Sequence, residues 1–272
     1  MKVLSTGTEL ILNAAEGVLQ IVVTDNGELL CAQSWHRSER ATEILAPALQ
    51  QLCATLGLSP SGFRRIACVR GPGSFTGIRL TLTTAAALRR TGNARLAGLD
   101  YMQALATTAA MRRGLLHGVR IWVLTHARRN LVHFQPFVSY GPVIPAQALQ
   151  AVELLPPDEA LNRMAEAPNG GYACGSGLNR YPHLFVAKRT GQGPEGAPAC
   201  TPLPEITGPD VAALCLLARH GDYFAEDIEP LYVRPCDAVE NLPQLAERQG
   251  LDGESAVSVL DSLLTRTPES EI

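Results

Sequence analysis

GPGSFTGIR, residues 71–79, is preceded by a short apolar run, Ile66-Ala67-Cys68-Val69, and followed by apolar residues at helical spacing as far as about Arg90. A continuous apolar run without alternation suits a buried central strand. The glycines supply positive φ and close backbone approach, and the first turn of the helix brings unpaired N–H groups toward the loop, where they could receive an anion. The segment lacks the GK[ST] of a P-loop and the GxGxxG of a dinucleotide fold. Residue chemistry alone leaves two readings open, a phosphate cradle and a structural turn.

Outward from this loop the pattern is that of an α/β protein. Leu10–Leu12 and Val18–Thr24 are β-rich runs, and Asn26-Gly27 is a strong hairpin signal ahead of Leu29 and Leu30. Leu45, Leu49, Leu52 and Leu56 recur at helical spacing and stop at Gly57, where a C-terminal cap belongs. After the motif helix, Leu96–Leu99 reads as a strand. Asp100 and Gln103 then have capping-box spacing before a helix with Met102, Leu105, Ala106 and Ala109. The order ββ(β)αβαβα predicts a mixed sheet with right-handed crossovers. Beyond Gly114 a second unit opens with a hairpin, Val119–Leu124 and Leu131–Val138 around the polar turn HARRN at 126–130. Pro and Gly then crowd residues 141–209, and Pro209, placed just inside the start of VAALCLLAR with Gly221 beyond its end, marks another helix. The expected organisation is a first subdomain over residues 1–113 completed by a helix at about 209–220, a smaller second subdomain over 114–208, and a tail over 237–272. Within the tail, residues 256–264 could form a short amphipathic helix.

With 46% hydrophobic and 18% charged residues over 272 positions, the chain has material for a substantial core. No run of about 18 apolar residues is present, and the polar opening MKVLSTGTELILNAAEG does not suit a signal peptide, so the expected setting is cytoplasmic with no membrane association. The cysteines, Cys31, Cys53, Cys68, Cys174, Cys200, Cys215 and Cys236, form no CxxC pair and read as reduced, mostly buried thiols. A net charge of −3 argues against a general nucleic-acid binder. The arginine pairs 89/90, 112/113 and 128/129 read as solvated helix ends and a turn.

GPGSFTG followed by Arg79 resembles the signature of the TsaB family, which has the actin and sugar-kinase type of ribonuclease-H-like fold. The resemblance extends through DNGELL, the helix before Gly57, GLDYMQALA, the strands around HARRN, the GSG of 175–177, PDVAALCLLA and PLYVRPCDA, as far as Ala238. It implies two ribonuclease-H-like subdomains, each a mixed sheet flanked by helices. Departures accompany it. An Asp-Thr-Ser-Thr type turn is replaced by Asn13, Ala14, Ala15 and Glu16, removing an acid that in actin-like ATPases helps position metal and phosphate. Thr81, Ala86 and Ala87 stand where relatives often have Gly, Lys and Gly, and His126 stands where the family has aspartate.

What the resemblance implies about function is a pseudo-enzyme subunit: a partner of TsaD, the catalytic subunit of threonylcarbamoyl transfer to tRNA adenosine. TsaE would join the pair, self-association would use the same surface, and tRNA would be met only through the complex. No HxxxH metal pair occurs, and no metal or tightly bound cofactor is expected, with a nucleotide at the partner boundary left open. The expected partner surface combines Ile78, Thr81, Leu82, Ala85 and Leu88 with Leu45 and Leu49, as an exposed patch rich in small residues. The motif loop comprises Gly71, Pro72, Gly73, Ser74, Phe75, Thr76, Gly77 and Arg79. His126 reads as a solvated turn residue, while His117, His133, His183 and His220 complete no recognisable site. The leading alternative is an ATP-dependent kinase or hydrolase with Gly71–Gly77 as its phosphate loop. A peptidase is disfavoured because Ser74 lacks identifiable histidine and acid partners, and a free-standing tRNA-binding module would betray itself by a steep salt dependence.

Overall fold

The computed structural model describes residues 7–36, 40–128, 130–167, 170–182, 200–233 and 242–248, with residues 252 and 255. The chain divides into a compact unit, Met1–Leu231, and a second one, Tyr232–Ile272. In the first unit the opening meander is β1 (Thr8–Asn13), β2 (Leu19–Asp25) and β3 (Glu28–Trp35). The Asn26-Gly27 turn closes the hairpin, both residues taking the positive φ that favours Asn and Gly. Helix α1 (Ala41–Leu56) buries Leu45, Leu49 and Leu52 and ends on Gly57 in the left-handed conformation. Strand β4 (Arg65–Gly71), helix α2 (Phe75–Gly92) and strand β5 (Arg95–Asp100) follow. The sheet order is β3-β2-β1-β4-β5, with the meander antiparallel and β4 parallel to both β1 and β5.

Helix α3 (Tyr101–Arg113) leads into a second sheet built to the same plan. Strands β6 (Arg120–Arg128) and β7 (Leu131–Val138) pair antiparallel, with the short β8 (Gln147–Ala148) and β9 (Glu153–Leu155) beside β7. After α4 (Pro157–Ala165), strand β10 (Gly171–Cys174) runs parallel to β6, helix α5 (Ser176–Arg180) follows, and β11 (Cys200–Leu203) is parallel to β10. The order β8-β7-β6-β10-β11 reproduces that of the first sheet, strand for strand. Each half is a meander with parallel strands added beside its first member, which is the duplicated ribonuclease-H-like arrangement.

Helix α3 touches β4 and β5 of one sheet and β6, β7 and β10 of the other. Nine of its residues are buried, including Ala104, Leu105, Ala106, Thr107, Thr108 and Ala109. A helix covered all round needs no amphipathic stripe, and its small residues admit close approach on every side. Helix α6 (Val211–Arg219) packs on α3. One buried cluster joins both sheets through α3, a second lies under α1 and α2, and a third beneath α4.

Local differences from the sequence expectations have identifiable causes. The capping box does not form: Asp100 accepts from Arg70 Nε at 2.7 Å, while Gln103 reaches across to the Ala146 carbonyl. Pro209 precedes α6 by two residues, and Asp210 holds the N-cap position. Strand β6 continues through His126 to Arg128, so the hairpin turn is tighter than HARRN suggested, with Asn130 at positive φ. In the second unit a helix α7 (Leu242–Arg248) is described, whereas the amphipathic stretch 256–264, His183, Arg129 and Cys236 lie outside the described residues. No helix of the described residues is long and apolar enough to cross a membrane.

Candidate functional site

Strand β4 is buried along most of its length and delivers the 71–77 loop against the turn that follows β1. Gly73 has φ 157°, and a Cβ added there would lie 2.1 Å from the Ala15 carbonyl oxygen. On Gly77 an added Cβ would lie 1.9 Å from the Ala14 carbonyl oxygen. Ser74 N–H donates to Ala15 O at 2.5 Å, and Ser74 Oγ caps α2 by accepting from Gly77 N–H at 3.3 Å. The glycines thus admit the chain's own backbone, and part of the donor set that could cradle an anion is spent on it. The other half repeats the device. Cβ atoms on Gly175 and Gly177 would lie 2.2 Å and 2.9 Å from Leu124 O at the corresponding place on β6. A recurrence in both halves favours the structural turn over the phosphate cradle. Within the motif, Thr76 and Arg79 are exposed, and the Arg79 guanidinium lies 3.7 Å from the centre of the Phe75 ring.

Asn13, at the position of the missing aspartate, is fully buried. Its Nδ2 donates to Gln20 Oε1 at 2.7 Å, its Oδ1 accepts from Ala15 N–H at 3.0 Å, and Gln20 in turn donates to Pro209 O. The side chain is committed to holding the turn. Among the described residues, no three His, Cys, Asp or Glu side chains converge in a metal-binding group.

The residues expected to form an exposed partner patch are placed differently. Ile78, Thr81 and Ala85 have no solvent exposure, and Leu45 and Leu49 are also buried, while Leu82 and Leu88 are half-buried against the same core. The helical period explains the correction: positions 78, 81 and 85 share the stripe that packs on the first sheet. Thr81 there turns its hydroxyl back to Gly77 O and Ile78 O. The outward stripe of α2 consists of Thr76, Arg79, Thr83, Ala87 and Arg90.

A cluster that sequence reading missed surrounds Glu16. Ser176 Oγ donates to Glu16 Oε1 at 2.6 Å, Tyr101 OH donates to Oε2 at 3.2 Å, and His126 N–H donates to Ser176 Oγ at 2.9 Å. Burial pushes the Glu16 carboxyl up to about 7, and the two hydroxyl bonds only partly oppose it. The available signal was a lone acid between Ala14-Ala15 and Gly17, flanked by two apolar strands. His126 is not a solvated turn residue: it is partly buried on β6, its Nε2 is enclosed without a hydrogen bond, and burial followed by the nearby Arg180 charge lowers its pKa. His133 is buried beside the Thr125 hydroxyl.

The six described cysteines are free, with Cys53, Cys68 and Cys174 buried. Burial raises the thiol pKa of each of these three, and brings Cys200 to about 12, which suits inert rather than reactive sulfurs. An open, largely apolar groove of about 550 Å³, lined in part by Leu29, Met111, Val143, Val211 and Cys215, shares no lining residue with the glycine loop.

The paired mixed sheets around a shared central helix define a protein of the actin-like, ribonuclease-H-like class. Two solved structures share the fold: YeaZ from Pseudomonas aeruginosa, at TM-score 0.65 and 20% identity over 83% of this chain and 99% of that one, and a protein described as similar to peptidase YeaZ from the same organism, at TM-score 0.64 and 22% identity over 84% and 100%. In sequence, the chain is similar to the tRNA threonylcarbamoyladenosine biosynthesis protein TsaB of Escherichia coli (strain K12), 26% identical over 204 residues that cover 74% of this chain and 84% of the relative. Residues 36–167 match the family model described as TsaD, tRNA N6-adenosine threonylcarbamoyltransferase. The resemblance to TsaB carried by the GPGSFTG motif therefore holds in sequence and in fold.

Proposed function

We propose that this chain acts in the biosynthesis of threonylcarbamoyladenosine in tRNA, as a non-catalytic subunit that binds and activates a TsaD-type transferase. The observation that carries this reading is the likeness to TsaB over 84% of the relative's length. Support for a non-catalytic role comes from the loop, whose glycines are filled by the chain's own Ala14 and Ala15 carbonyls, and from Asn13, whose side chain is spent inside the turn. The same two features weigh against the kinase or hydrolase alternative. The reading includes no tightly bound cofactor in this chain and leaves a nucleotide at the boundary with TsaD as an outcome of the binding experiment.

The partner surface is assigned to the outward stripe of α2, with Thr83 and Ala87 at its centre, continued by exposed Ala46 and Gln50 on α1. Self-association and TsaD would compete for this stripe, and TsaE would join the assembled pair. The test is to mix the purified chain with its own organism's TsaD, follow association by light scattering, and assay threonylcarbamoyl transfer to tRNA with each protein alone and with both. A stable complex that is active only when both are present is the expected result. No complex, together with magnesium-dependent ATP turnover by this chain alone, would replace the reading with the kinase-like one.

A further inference from the structure

Apolar surface gathers along the outer side of α6. The inner stripe of that helix, Leu214, Leu217 and Ala218, packs with α3 and the first sheet, while Val211, Ala212, Cys215 and Leu216 form one wall of the open groove of about 550 Å³. Leu29 on β3, Met111 on α3 and Val143 in the loop before β8 line its other side. Leu29 and Val143 are 55% and 72% exposed, and the same loop exposes Tyr140 and Ile144. Single apolar side chains on a surface need no account, but a groove walled and rimmed by them does.

Two properties of the groove define its ligand. The first is charge. Arg219 ends the α6 wall with an exposed guanidinium that donates to the Gly27 carbonyl at 3.1 Å. Among the described residues it forms no ion pair, unlike Arg89, Arg90, Arg112 and Arg113. It is the one charged side chain among the lining residues, so a ligand with a carboxylate at that end and apolar groups along the rest is complementary. The second property is hydrogen bonding. Apart from Arg219, the lining side chains offer nothing stronger than a thiol or a thioether. An extended peptide laid along α6 leaves its own N–H and C=O groups unmet there, whereas a helix bonds them internally. The nine residues of α6 span about 13 Å, enough for a facing helix to place apolar anchors at i, i+3, i+4 and i+7. Running antiparallel to α6, that helix sets its first turn beside Arg219, where its own dipole also favours an acid.

We propose that the groove is a docking site for an acidic amphipathic helix of a partner protein, laid antiparallel to α6 with a carboxylate on Arg219 and its apolar stripe against Val211, Cys215 and Leu216. The site is separate from the surface assigned on α2. Alternate residues of a strand face opposite sides of a sheet. Leu10, Leu12, Ile66 and Cys68 cluster with Leu45, Leu49 and Ala85 of α1 and α2, while Ile11, Ala67 and Val69 cluster with α3 and α6. A protein seated on the outward stripe of α2 therefore leaves the groove open, and the inference does not rest on the assignment to threonylcarbamoyl transfer.

The experiment is fluorescence anisotropy of the intact chain with a labelled, lactam-stapled helix of about fourteen residues, preorganised because a free peptide of that length is marginally helical. It carries leucines at i, i+3, i+4 and i+7, one glutamate in its first turn, and alanine and glutamine elsewhere. A second peptide has lysine in place of the glutamate, and a third is broken by a central proline. The proteins are wild type, Ala212→Arg and Arg219→Glu, both changes lying at exposed positions, with an unchanged thermal melt as the check on folding. Wild type should bind the glutamate helix saturably, and roughly tenfold more weakly when lysine or proline is introduced or when Ala212→Arg fills the groove. Arg219→Glu should prefer the lysine helix by a similar factor, and either variant alone decides should the other misfold. No saturable binding, equal binding of the glutamate and lysine helices, or indifference to Ala212→Arg would overturn the site. Equal binding of the proline peptide would assign the groove to an extended segment instead. Self-association of wild type that Ala212→Arg abolishes, seen by sedimentation without peptide, would assign it to a second copy of the chain.

Discussion

At the scale of single residues, the glycines of 71–77 and the acid at 16 do opposite things to the same turn. Gly77 is required by distance alone, because a Cβ would fall 1.9 Å from a backbone oxygen that cannot rotate away. Gly77→Ala should therefore lower stability by about 1–3 kcal/mol, as overpacking of a well-filled interior does, measured by urea unfolding. A loss within experimental error would mean that the β1–β2 turn yields, and that the close approach is not what the glycine is for. Glu16 makes a different prediction, in pH. Its carboxyl binds a proton more tightly in the folded chain, at about 7 against an ordinary 4.5. The native state therefore holds more protons than the unfolded chain between those values, and stability falls as pH rises through the window. This contribution is fully present below about pH 4.5 and lost above about pH 7. Relative to Glu16→Gln, wild type should lose on the order of 2 kcal/mol between pH 5 and 8 in denaturant melts, and parallel curves would refute the sign.

At the scale of elements, α2 shows how far a pattern can be read and where it stops. Its limits, its preceding strand and its glycine-rich entry were legible, because apolar periodicity and glycine punctuation are local signals. The identity of its covered face was not. Ile78, Leu82, Ala85 and Leu88 place apolar groups on several sides, and a sequence contains no statement of which side meets a sheet and which meets solvent. The same limit applies to α3, whose even coverage reflects contact with two sheets, a tertiary fact with no periodic trace. Glu16 was legible only as a departure from a family turn, since its partners Tyr101 and Ser176 are 85 and 160 positions away. The two faces of α2 give a paired prediction. Ala85→Arg buries an unpaired charge and should unfold the protein or cost at least about 3 kcal/mol, seen as loss of a cooperative melt. Thr83→Arg, on the exposed stripe, should leave the melting temperature within roughly 2 °C and abolish binding to TsaD. Full binding by a folded Thr83→Arg protein would move the partner surface elsewhere.

At the scale of the whole molecule, the distribution of charge bears on whether this chain meets RNA by itself. Two of the arginine pairs that stand out in the sequence are engaged within the fold: Arg89 and Arg90 both reach Asp227, Arg112 is paired with Asp210, and Arg113 with Glu205. Such exposed pairs add little to stability, yet each carboxylate cancels positive potential that a phosphate backbone would need. Together with the net charge of −3, this leaves little to release counterions from tRNA. The isolated chain is therefore expected to bind its organism's tRNA no more tightly than non-specific proteins do, with a Kd of roughly 10⁻⁴ to 10⁻⁶ M near physiological salt, in a fluorescence anisotropy titration. Adding TsaD should tighten binding by bringing the partner's own surface to the RNA. A Kd well below that range for the chain alone, weakening steeply with salt, would instead identify a tRNA-binding module. The accessory reading would then have to explain why the catalytic partner is not needed for recognition.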